Sequence, residues 1–267
     1  MNRPVISITT DFGTTDYDSG VLTGVILSIA PTANIAVLTH DITPFNVLEG
    51  AVILSRCAPF FPDGAIHLMV VDPGVGTKRR GMAARIGRQY FVGPDNGLIT
   101  LLVDQVKAAG ETCEYFALEN PGFWLPDTTN IFHGRDVFAP AAAHLSAGIP
   151  LNEFGSPIHD PVFLPIPDPS RTTNGWKGTV LHVDHFGNLT GNLTGKHLSG
   201  RKSFTIAING VRITNLTPTY GSAHPGDLIA LLDDSDYLEI AVSQGSAEKR
   251  LNACVGTEFE LSFQEQP

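Results

Sequence analysis

The stretch AIHLMVV, which spans residues 65–71, is followed at once by the turn residues Asp72, Pro73 and Gly74. Apolar residues fill it except at His67, a composition typical of a buried β-strand. Because proline and glycine mark turns, we expect the strand to end at Asp72. The stretch therefore predicts a central strand whose exit loop begins with a carboxylate.

The segments around this strand alternate between strand-like and helix-like patterns. Before it, we expect strands at 5–10 and 35–38 and helices at 19–30 and 48–58. After it, we expect strands near 82–86, 89–93 and 113–118 and helices near 97–107 and 137–147. Strands interleaved with helices indicate an α/β domain with a central, mostly parallel sheet.

The second part of the chain has a different pattern. Six prolines lie between residues 150 and 169, and proline fixes φ and removes a hydrogen-bond donor, so we expect an extended segment there. Beyond it come short β-type runs at 179–183, 203–208, 228–232, 238–242 and 257–263. These runs predict a smaller all-β domain, in the form of a barrel. The predicted organisation is an α/β domain at 1–150, a proline-rich linker at 151–174 and a β-barrel domain at 175–267.

The composition limits the classes of function. The chain has 267 residues, of which 42% are hydrophobic and 16% charged, which is too apolar for a disordered protein. Its net charge of −10 argues against a nucleic-acid partner and fits a cationic or neutral small substrate. Cys57, Cys113 and Cys254 are scattered, so neither a disulfide framework nor a zinc site is expected. Without a signal-peptide pattern or an apolar run of about 18 residues, we expect a cytoplasmic protein with no membrane partner.

Two carboxylates fall where ligands bind in open α/β sheets, beyond the carboxyl ends of strands. Asp11 follows the strand at 5–10, and Asp72 follows the strand at 65–71. A carboxylate accepts both hydroxyls of a ribose diol, but an Asp in this place is equally typical of a helix or turn cap. The sequence alone leaves both interpretations open.

The loop DPGVGTKRR brings Asp72 together with Arg79 and Arg80, and it does not match the phosphate-binding pattern GxxxxGK[ST]. The cluster FHGRD contributes His133 and precedes the helix at 137–147. A histidine in such a place is also typical of a capping or packing role. Spacing alone does not show that Asp72, Arg79 and His133 meet.

The second half offers groups suited to a purine base. In DHFGN, residues 184–188, an asparagine is able to read an adenine edge and a phenylalanine to cover its face, although the segment is also typical of a turn. Phe45 and Tyr220 are loop aromatics flanked by Thr and Pro, suited to stacking on a base or to packing in a core. The run SDYLEIAVSQ, residues 235–244, contains a strand whose ends offer backbone donors and acceptors.

Taken in order, these blocks resemble the S-adenosylmethionine hydroxide adenosyltransferase family, which is related to the fluorinase and chlorinase enzymes. The resemblance rests on TTDFGTTDYDSG, DITPFNVLEGA, VVDPGVGTKRR, GPDNGL, FHGRD, DHFGN, TPTY and YLEIAVSQGSA. It implies an N-terminal α/β domain, a C-terminal β-barrel and a homotrimer. In that trimer, each site lies between the N-terminal domain of one subunit and the C-terminal domain of its neighbour.

The resemblance also implies roles for individual residues. Asp72, Arg79 and His133 match the water-activating set. The implied substrate-binding residues are Asp11 for the ribose diol, Asp16 and Asp184 for the methionine ammonium, Phe45, Phe186 and Tyr220 around the ribose and adenine, Asn188 for the adenine edge, and Ser235, Glu239 and Val242 for the rest of the pocket. Asp234 departs from the small polar residue that relatives carry at that part of the methionine pocket.

The expected reaction is therefore hydrolysis of S-adenosyl-L-methionine to adenosine and L-methionine, by attack of an activated water at C5′. Halogenases of the family carry a tyrosine at the position of Asp72 and a halide-contacting serine at that of Gly134, so the resemblance favours water over halide. The alternatives are a non-catalytic adenosine or S-adenosylmethionine sensor, a halogenase, and a metal-dependent hydrolase built on Asp11, Asp72 and His133. No cofactor and no metal are expected.

Overall fold

The computed structural model describes residues 4–198, 200–201 and 203–263. The chain divides into two compact units, Met1–Leu164 and Pro165–Pro267. The outermost residues of the two predicted domains, 1–3 and 264–267, lie outside the described residues.

The first unit alternates strands with helices as the sequence predicts. Its elements are β1 (Val5–Thr10), α1 (Asp18–Ile29), β2 (Asn34–Thr39), α2 (Val47–Cys57), β3 (Ile66–Val70), β4 (Gly81–Ile86), β5 (Gln89–Pro94), α3 (Thr100–Ala108), β6 (Cys113–Ala117) and α4 (Ala139–Ser146). A π-helical turn at Gly134–Phe138 leads directly into α4. Short 3₁₀ turns lie at Ala58–Phe60, Pro121–Phe123 and Leu151–Glu153.

The strands of this unit form one sheet in the order β2-β1-β3-β5-β4-β6. The first four are parallel, and β4 is antiparallel to both of its neighbours. The prediction of a mostly parallel sheet is confirmed. Because β1 and β3 are adjacent and parallel, the residues that follow them emerge at the same edge of the sheet.

Apolar side chains cover both faces of the sheet. All five residues of β3 are buried, as expected for a central strand. On one face, Leu22 of α1 and Ala142 of α4 pack in a core with Leu68. On the other face, Leu54 of α2 and Leu102 of α3 join a second core.

The proline-rich segment differs from the predicted linker at 151–174. Its first part belongs to the first unit, where Leu151, Phe154 and Ile158 are buried. Prolines prevent a helix or a central strand there, but the apolar residues between them still bury their side chains against the unit. The remaining part belongs to the second unit and includes a short strand, β7 (Ser170–Thr172).

The second unit is an antiparallel, nearly closed barrel. Its other elements are β8 (Gly175–Val183), β9 (Leu189–Thr194), α5 (Gly195–Leu198), β10 (Phe204–Ile208), β11 (Val211–Thr214), β12 (Leu228–Leu232), β13 (Tyr237–Val242), α6 (Ala247–Leu251) and β14 (Glu258–Phe263). The strand order is β11-β10-β14-β8-β9-β13-β12, with β7 beside β8, and the two end strands contact each other. The predicted barrel is confirmed. Among the described residues, no helix combines the length and apolar character needed to cross a membrane.

Candidate active site

A cavity of about 220 Å³ opens at the sheet edge where β1 and β3 end. Four residues selected from the sequence line it: Asp11, Phe45, Asp72 and His133. The two carboxylates follow adjacent parallel strands, which is why residues 61 positions apart face one cavity.

Arg79 joins Asp72 to His133 at this cavity. Its Nε donates a hydrogen bond to Asp72 Oδ1 at 2.8 Å, and its Nη2 donates to Asp72 Oδ2. Nη2 also donates to His133 Nδ1 at 2.9 Å, and the guanidinium lies over the ring of Phe138. The side chains of Asp72 and Arg79 are only 6% and 11% exposed, so the ion pair is largely shielded from solvent. The structure thus brings together the three residues predicted to activate water.

The Arg79 contact fixes the protonation state of His133. A guanidinium has donors and no acceptor, so the Nδ1 atom it contacts carries a lone pair, and His133 is neutral with its proton on Nε2. Burial lowers the pKa of His133, the charge of Arg79 lowers it further, and Asp72 and Asp136 oppose the shift. The pKa of the imidazole therefore lies below its usual value of 6.5.

The buried carboxylate of Asp136 organises the segment that carries His133. It accepts hydrogen bonds from the Thr129 backbone N–H and hydroxyl, both at 2.8 Å, and from Arg135 Nε at 2.6 Å. His133 itself lies at the start of the π-helical turn, a feature found often at functional sites. The next residue is Gly134, where a Cβ atom would lie 3.0 Å from Val70 Cγ1. The turn therefore packs closely against β3, and a larger residue here requires the Val70 side chain to shift.

Asp11 and Phe45 are tied together at the rim of the cavity. The Phe45 backbone N–H donates to Asp11 Oδ2 at 2.8 Å, while the ring is 71% exposed. Phe45 has φ of 69°, a left-handed conformation that is rare for an aromatic residue and is found at ligand-binding sites. This bond uses one acceptor position of the carboxylate, so Asp11 retains acceptor capacity for a ligand.

The second unit contains its own cavity, of about 710 Å³. Five predicted residues line it: Asp184, Phe186, Asn188, Tyr220 and Val242. Sequence analysis missed four further lining residues: Gln244, Gly245, Ser246 and Lys249. All but Lys249 fall in the quoted block YLEIAVSQGSA, which was the available signal.

Asp184 fixes the conformation of the turn at residues 184–188, which lines this cavity. Its Oδ1 accepts the backbone N–H groups of Phe186 and Asn188, at 2.9 and 2.8 Å, and its Oδ2 accepts Asn188 Nδ2 at 2.9 Å. The Asn188 amide is therefore oriented by Asp184. Gly187 has φ of 84°, and a Cβ atom there would lie 2.2 Å from Ser246 Oγ, so the turn requires glycine.

The hydroxyl of Tyr220 binds a buried acidic residue, Glu239. Its hydroxyl donates to Glu239 Oε1 at 2.6 Å, and Glu239 is 6% exposed. Burial and the neighbouring Glu239 raise the pKa of Tyr220 above its usual range. Glu239 therefore does not line the cavity as predicted, but holds the aromatic residue that does.

Two other predicted residues lie away from the linings of these cavities. Asp16 is exposed before α1 and accepts the Tyr17 N–H at 2.7 Å. Ser235 is exposed in the turn between β12 and β13, at the opposite end of β13 from Val242. Within the described ranges, no group of three or more His, Cys, Asp or Glu side chains is arranged to bind a metal ion.

Comparison with known proteins gave consistent matches over both units. The family models for the SAM hydroxide adenosyltransferase N-terminal and C-terminal domains match residues 6–155 and 178–260. An (R)-S-adenosyl-L-methionine hydrolase of Salinispora arenicola is 37% identical, with 98% of each chain covered. A fluorinase of Actinoplanes sp. is 29% identical, over 90% of this chain and 91% of its own. A crystal structure of an uncharacterised conserved protein from Thermotoga maritima has a TM-score of 0.89 at 32% identity, over 96% of this chain and 99% of its own.

Proposed function

This chain belongs to the SAM hydroxide adenosyltransferase family, and we propose that it hydrolyses S-adenosyl-L-methionine to adenosine and L-methionine. The observation that carries the proposal is the hydrogen-bonded set of Asp72, Arg79 and His133 on the cavity beyond β3. A carboxylate in that set supplies a nearby proton acceptor, which assists the attack of water.

The chemistry needs a placed nucleophile more than an acid. The sulfonium sulfur leaves as a neutral thioether and takes the C5′–S bonding pair with it, so the leaving group needs no proton. The water oxygen forms the new bond to C5′ from the side opposite the sulfur, and the water gives up a proton as it attacks. Holding water in line contributes several kcal/mol, and general-base help is worth about 10²–10⁴-fold.

We assign the proton-accepting role to Asp72. The Nδ1 lone pair of His133 is occupied by Arg79, and its Nε2 carries the proton, so the neutral imidazole offers a donor. Each Asp72 oxygen accepts one bond from Arg79 and keeps a second lone pair. In this mechanism Asp72 takes the proton from water, Arg79 holds the carboxylate, and His133 orients the water through Nε2–H.

The remaining predicted residues are assigned to substrate binding. Asp11 accepts the ribose diol, and Phe45 covers the sugar beside it. In the second unit, Phe186 and Tyr220 enclose the adenine, Asn188 reads its edge, and Val242 lines the pocket. We propose that Asp16 and Asp184 meet the methionine ammonium, that Ser235 completes the methionine pocket, and that Glu239 acts through Tyr220.

We further propose that the protein is a cytoplasmic homotrimer whose sites pair the first domain of one subunit with the second domain of its neighbour. Each half-site leaves aromatic surface exposed, 71% at Phe45 and 74% at Phe186, as expected for surfaces that a second chain and a substrate cover. No cofactor takes part in the proposed reaction.

The competing functions predict different behaviour. In a halogenase, an anionic halide would approach the carboxylate of Asp72, and like charges oppose that approach. A non-catalytic sensor does not require the hydrogen-bonded set of Asp72, Arg79 and His133. A metal-dependent hydrolase loses activity in excess chelator.

The direct test incubates the purified protein with S-adenosyl-L-methionine and separates the products by chromatography. We expect adenosine and methionine in equal amounts, with the same rate in excess chelator and in chloride or fluoride. Binding without turnover would indicate a sensor, and 5′-haloadenosine would indicate a halogenase; either result would overturn the proposal.

A further inference from the structure

Two consecutive residues that follow β5, Asp95 and Asn96, contact the chain on either side of the loop 72–79. Asn96 Nδ2 donates a hydrogen bond to the carbonyl oxygen of Val71, immediately before the loop, at 2.9 Å. The Asp95 carboxylate accepts a hydrogen bond from Arg80 Nε, immediately after the loop, at 2.9 Å. Both ends of the loop are therefore attached to one point at the end of β5.

The Asp95 contact is a multiply bonded ion pair in which the carboxylate is buried and the Arg80 side chain is 36% exposed. The Asp95 side chain is 1% exposed, and Arg80 Nη2 lies 2.7 Å from its Oδ2 in addition to the Nε bond. Its Oδ1 accepts the Val162 backbone N–H at 2.8 Å, and Arg80 Nη1 donates to Asp160 Oδ1 at 2.7 Å. A carboxylate shielded to this degree holds its cation in place, because separating the pair leaves a buried charge uncompensated.

This pair sets the direction of the preceding arginine. Arg79 and Arg80 are consecutive, yet Arg79 binds Asp72 and His133, whereas Arg80 binds Asp95. The two residues are joined by one planar peptide bond. Fixing Arg80 on Asp95 therefore restricts where the Arg79 side chain lies.

Asn96 acts on the other end of the loop. Val71 is 0% exposed and directly precedes Asp72, and its carbonyl is held by the Asn96 amide. The position of the Asp72 Cα atom follows from that of the Val71 carbonyl through a planar peptide bond. Asp95 and Asn96 of the block GPDNGL thus bond to the residues next to Arg79 and Asp72, and neither lines the cavity.

We propose that Asp95 and Asn96 are positioning residues for the water-activating set, which they align through Val71 and Arg80. The assignment rests on the proposed hydrolysis for its kinetic readout. If the two residues position the set, their variants should lose turnover and the Arg79–His133 contact while they remain folded and bind substrate. A merely structural role would instead lower the stability of the whole protein.

The test compares Asp95→Asn and Asn96→Ala with the wild-type protein. For Asp95→Asn we expect kcat to fall by about 10²-fold, the effect of a misplacement near 1 Å, with KM changed less than about threefold. The ¹⁵N chemical shift of His133 Nδ1, assigned by its loss in His133→Gln, should move because the Arg79 bond is weakened. Arg80→Lys keeps the positive charge and loses the planar guanidinium, so its kcat should lie between those of Asp95→Asn and the wild type.

The matched control is Arg85→Gln. It removes the ion pair between Arg85 of β4 and Glu114 of β6, in which Arg85 Nη2 lies 3.3 Å from Glu114 Oε1, and it leaves the loop 72–79 untouched. Its kcat and His133 signal should equal those of the wild type. If Asp95→Asn does not fold, Asn96→Ala and Arg80→Lys decide the question by the same measurements. Unchanged kcat and an unchanged His133 signal in folded variants would overturn the proposal. A wild-type protein that does not hydrolyse the substrate would overturn the proposed function alone, and the His133 signal would still test the positioning role.

Discussion

The Nδ1 atom of His133 accepts a hydrogen bond from the guanidinium of Arg79 at 2.9 Å. Arg79 already binds both oxygens of Asp72, so its guanidinium contacts an anionic carboxylate and a neutral imidazole at the same time. This arrangement persists only while His133 is unprotonated, because a proton on Nδ1 would face the guanidinium donor. The ionisation of one imidazole therefore decides whether the set is intact.

We predict that the activity has an acid limb controlled by His133. Its pKa is lowered by burial and by Arg79, so His133 is neutral at pH 7 and gains a proton only as the pH falls through a value below 6.5. Protonation breaks the contact with Arg79, and kcat should fall over that range. The measurement is kcat between pH 8 and about 4.5, within the range where unperturbed carboxylates are still mostly ionised.

The control for this prediction is His144→Gln, since burial also lowers the pKa of His144 but no described hydrogen bond joins it to the set. Its acid limb should match that of the wild type. The variant His133→Gln accepts from Arg79 and does not titrate in this range, so its acid limb should move to lower pH. An unmoved limb in His133→Gln would contradict the assignment.

Variants of two aspartates that line the same cavity should distinguish substrate binding from the chemical step. Asp72→Asn removes the proposed proton acceptor, so kcat should fall by about 10²–10⁴-fold with little change in KM. Asp11→Asn weakens the proposed contact with the ribose, which is made both before and during reaction, so KM should rise while kcat changes little. Steady-state kinetics measure both. An equal loss of kcat in the two variants would show that the roles are not divided in this way.

Sequence patterns predicted the fold because most local preferences agree with the tertiary structure. The buried strand at 65–71 and the alternation around it correspond to β3 and its neighbours. The strand β9 was missed, because its sequence LTGNLT contains glycine and asparagine, which disfavour strands. Gly191 is required there by packing, since a Cβ atom would lie 2.5 Å from the Phe259 ring. Such a requirement depends on a distant strand and is absent from local sequence.

The candidate site was predicted in part for the same reason. Strand ends and turn residues indicated Asp11 and Asp72, both of which line the first cavity. That Arg79 joins Asp72 to His133 depends on how the π-helical turn packs against β3, which spacing along the chain does not encode. The indirect role of Glu239 likewise follows from its burial behind Tyr220 and not from its position in the strand.

We predict that Glu239 affects substrate binding through Tyr220. The 2.6 Å bond from the Tyr220 hydroxyl fixes a ring that is 45% exposed on the cavity. Leaving one partner of a buried hydrogen bond unsatisfied costs about 1–3 kcal/mol, so Tyr220→Phe should lower the free energy of unfolding by an amount in that range. The freed ring should also raise KM. Urea unfolding and steady-state kinetics test both effects; a Tyr220→Phe protein with unchanged stability and KM would remove Glu239 from the site.

The final prediction concerns Gly76, where the loop after β3 touches the segment before His133. Gly76 has φ of 75°, and a Cβ atom there would lie 2.5 Å from the Asn130 carbonyl oxygen. Gly64 provides a matched control, because its φ is 79° but a Cβ atom would meet no described atom within 4 Å. Gly64→Ala should cost about 1–2 kcal/mol of unfolding free energy, from the left-handed backbone alone, and leave kcat unchanged. Gly76→Ala adds a collision between two backbone segments, so it should cost more and also lower kcat, since those segments carry Asp72 and His133. Equal stability losses and equal kcat values in the two variants would mean that the contact with Asn130 does not hold the site together.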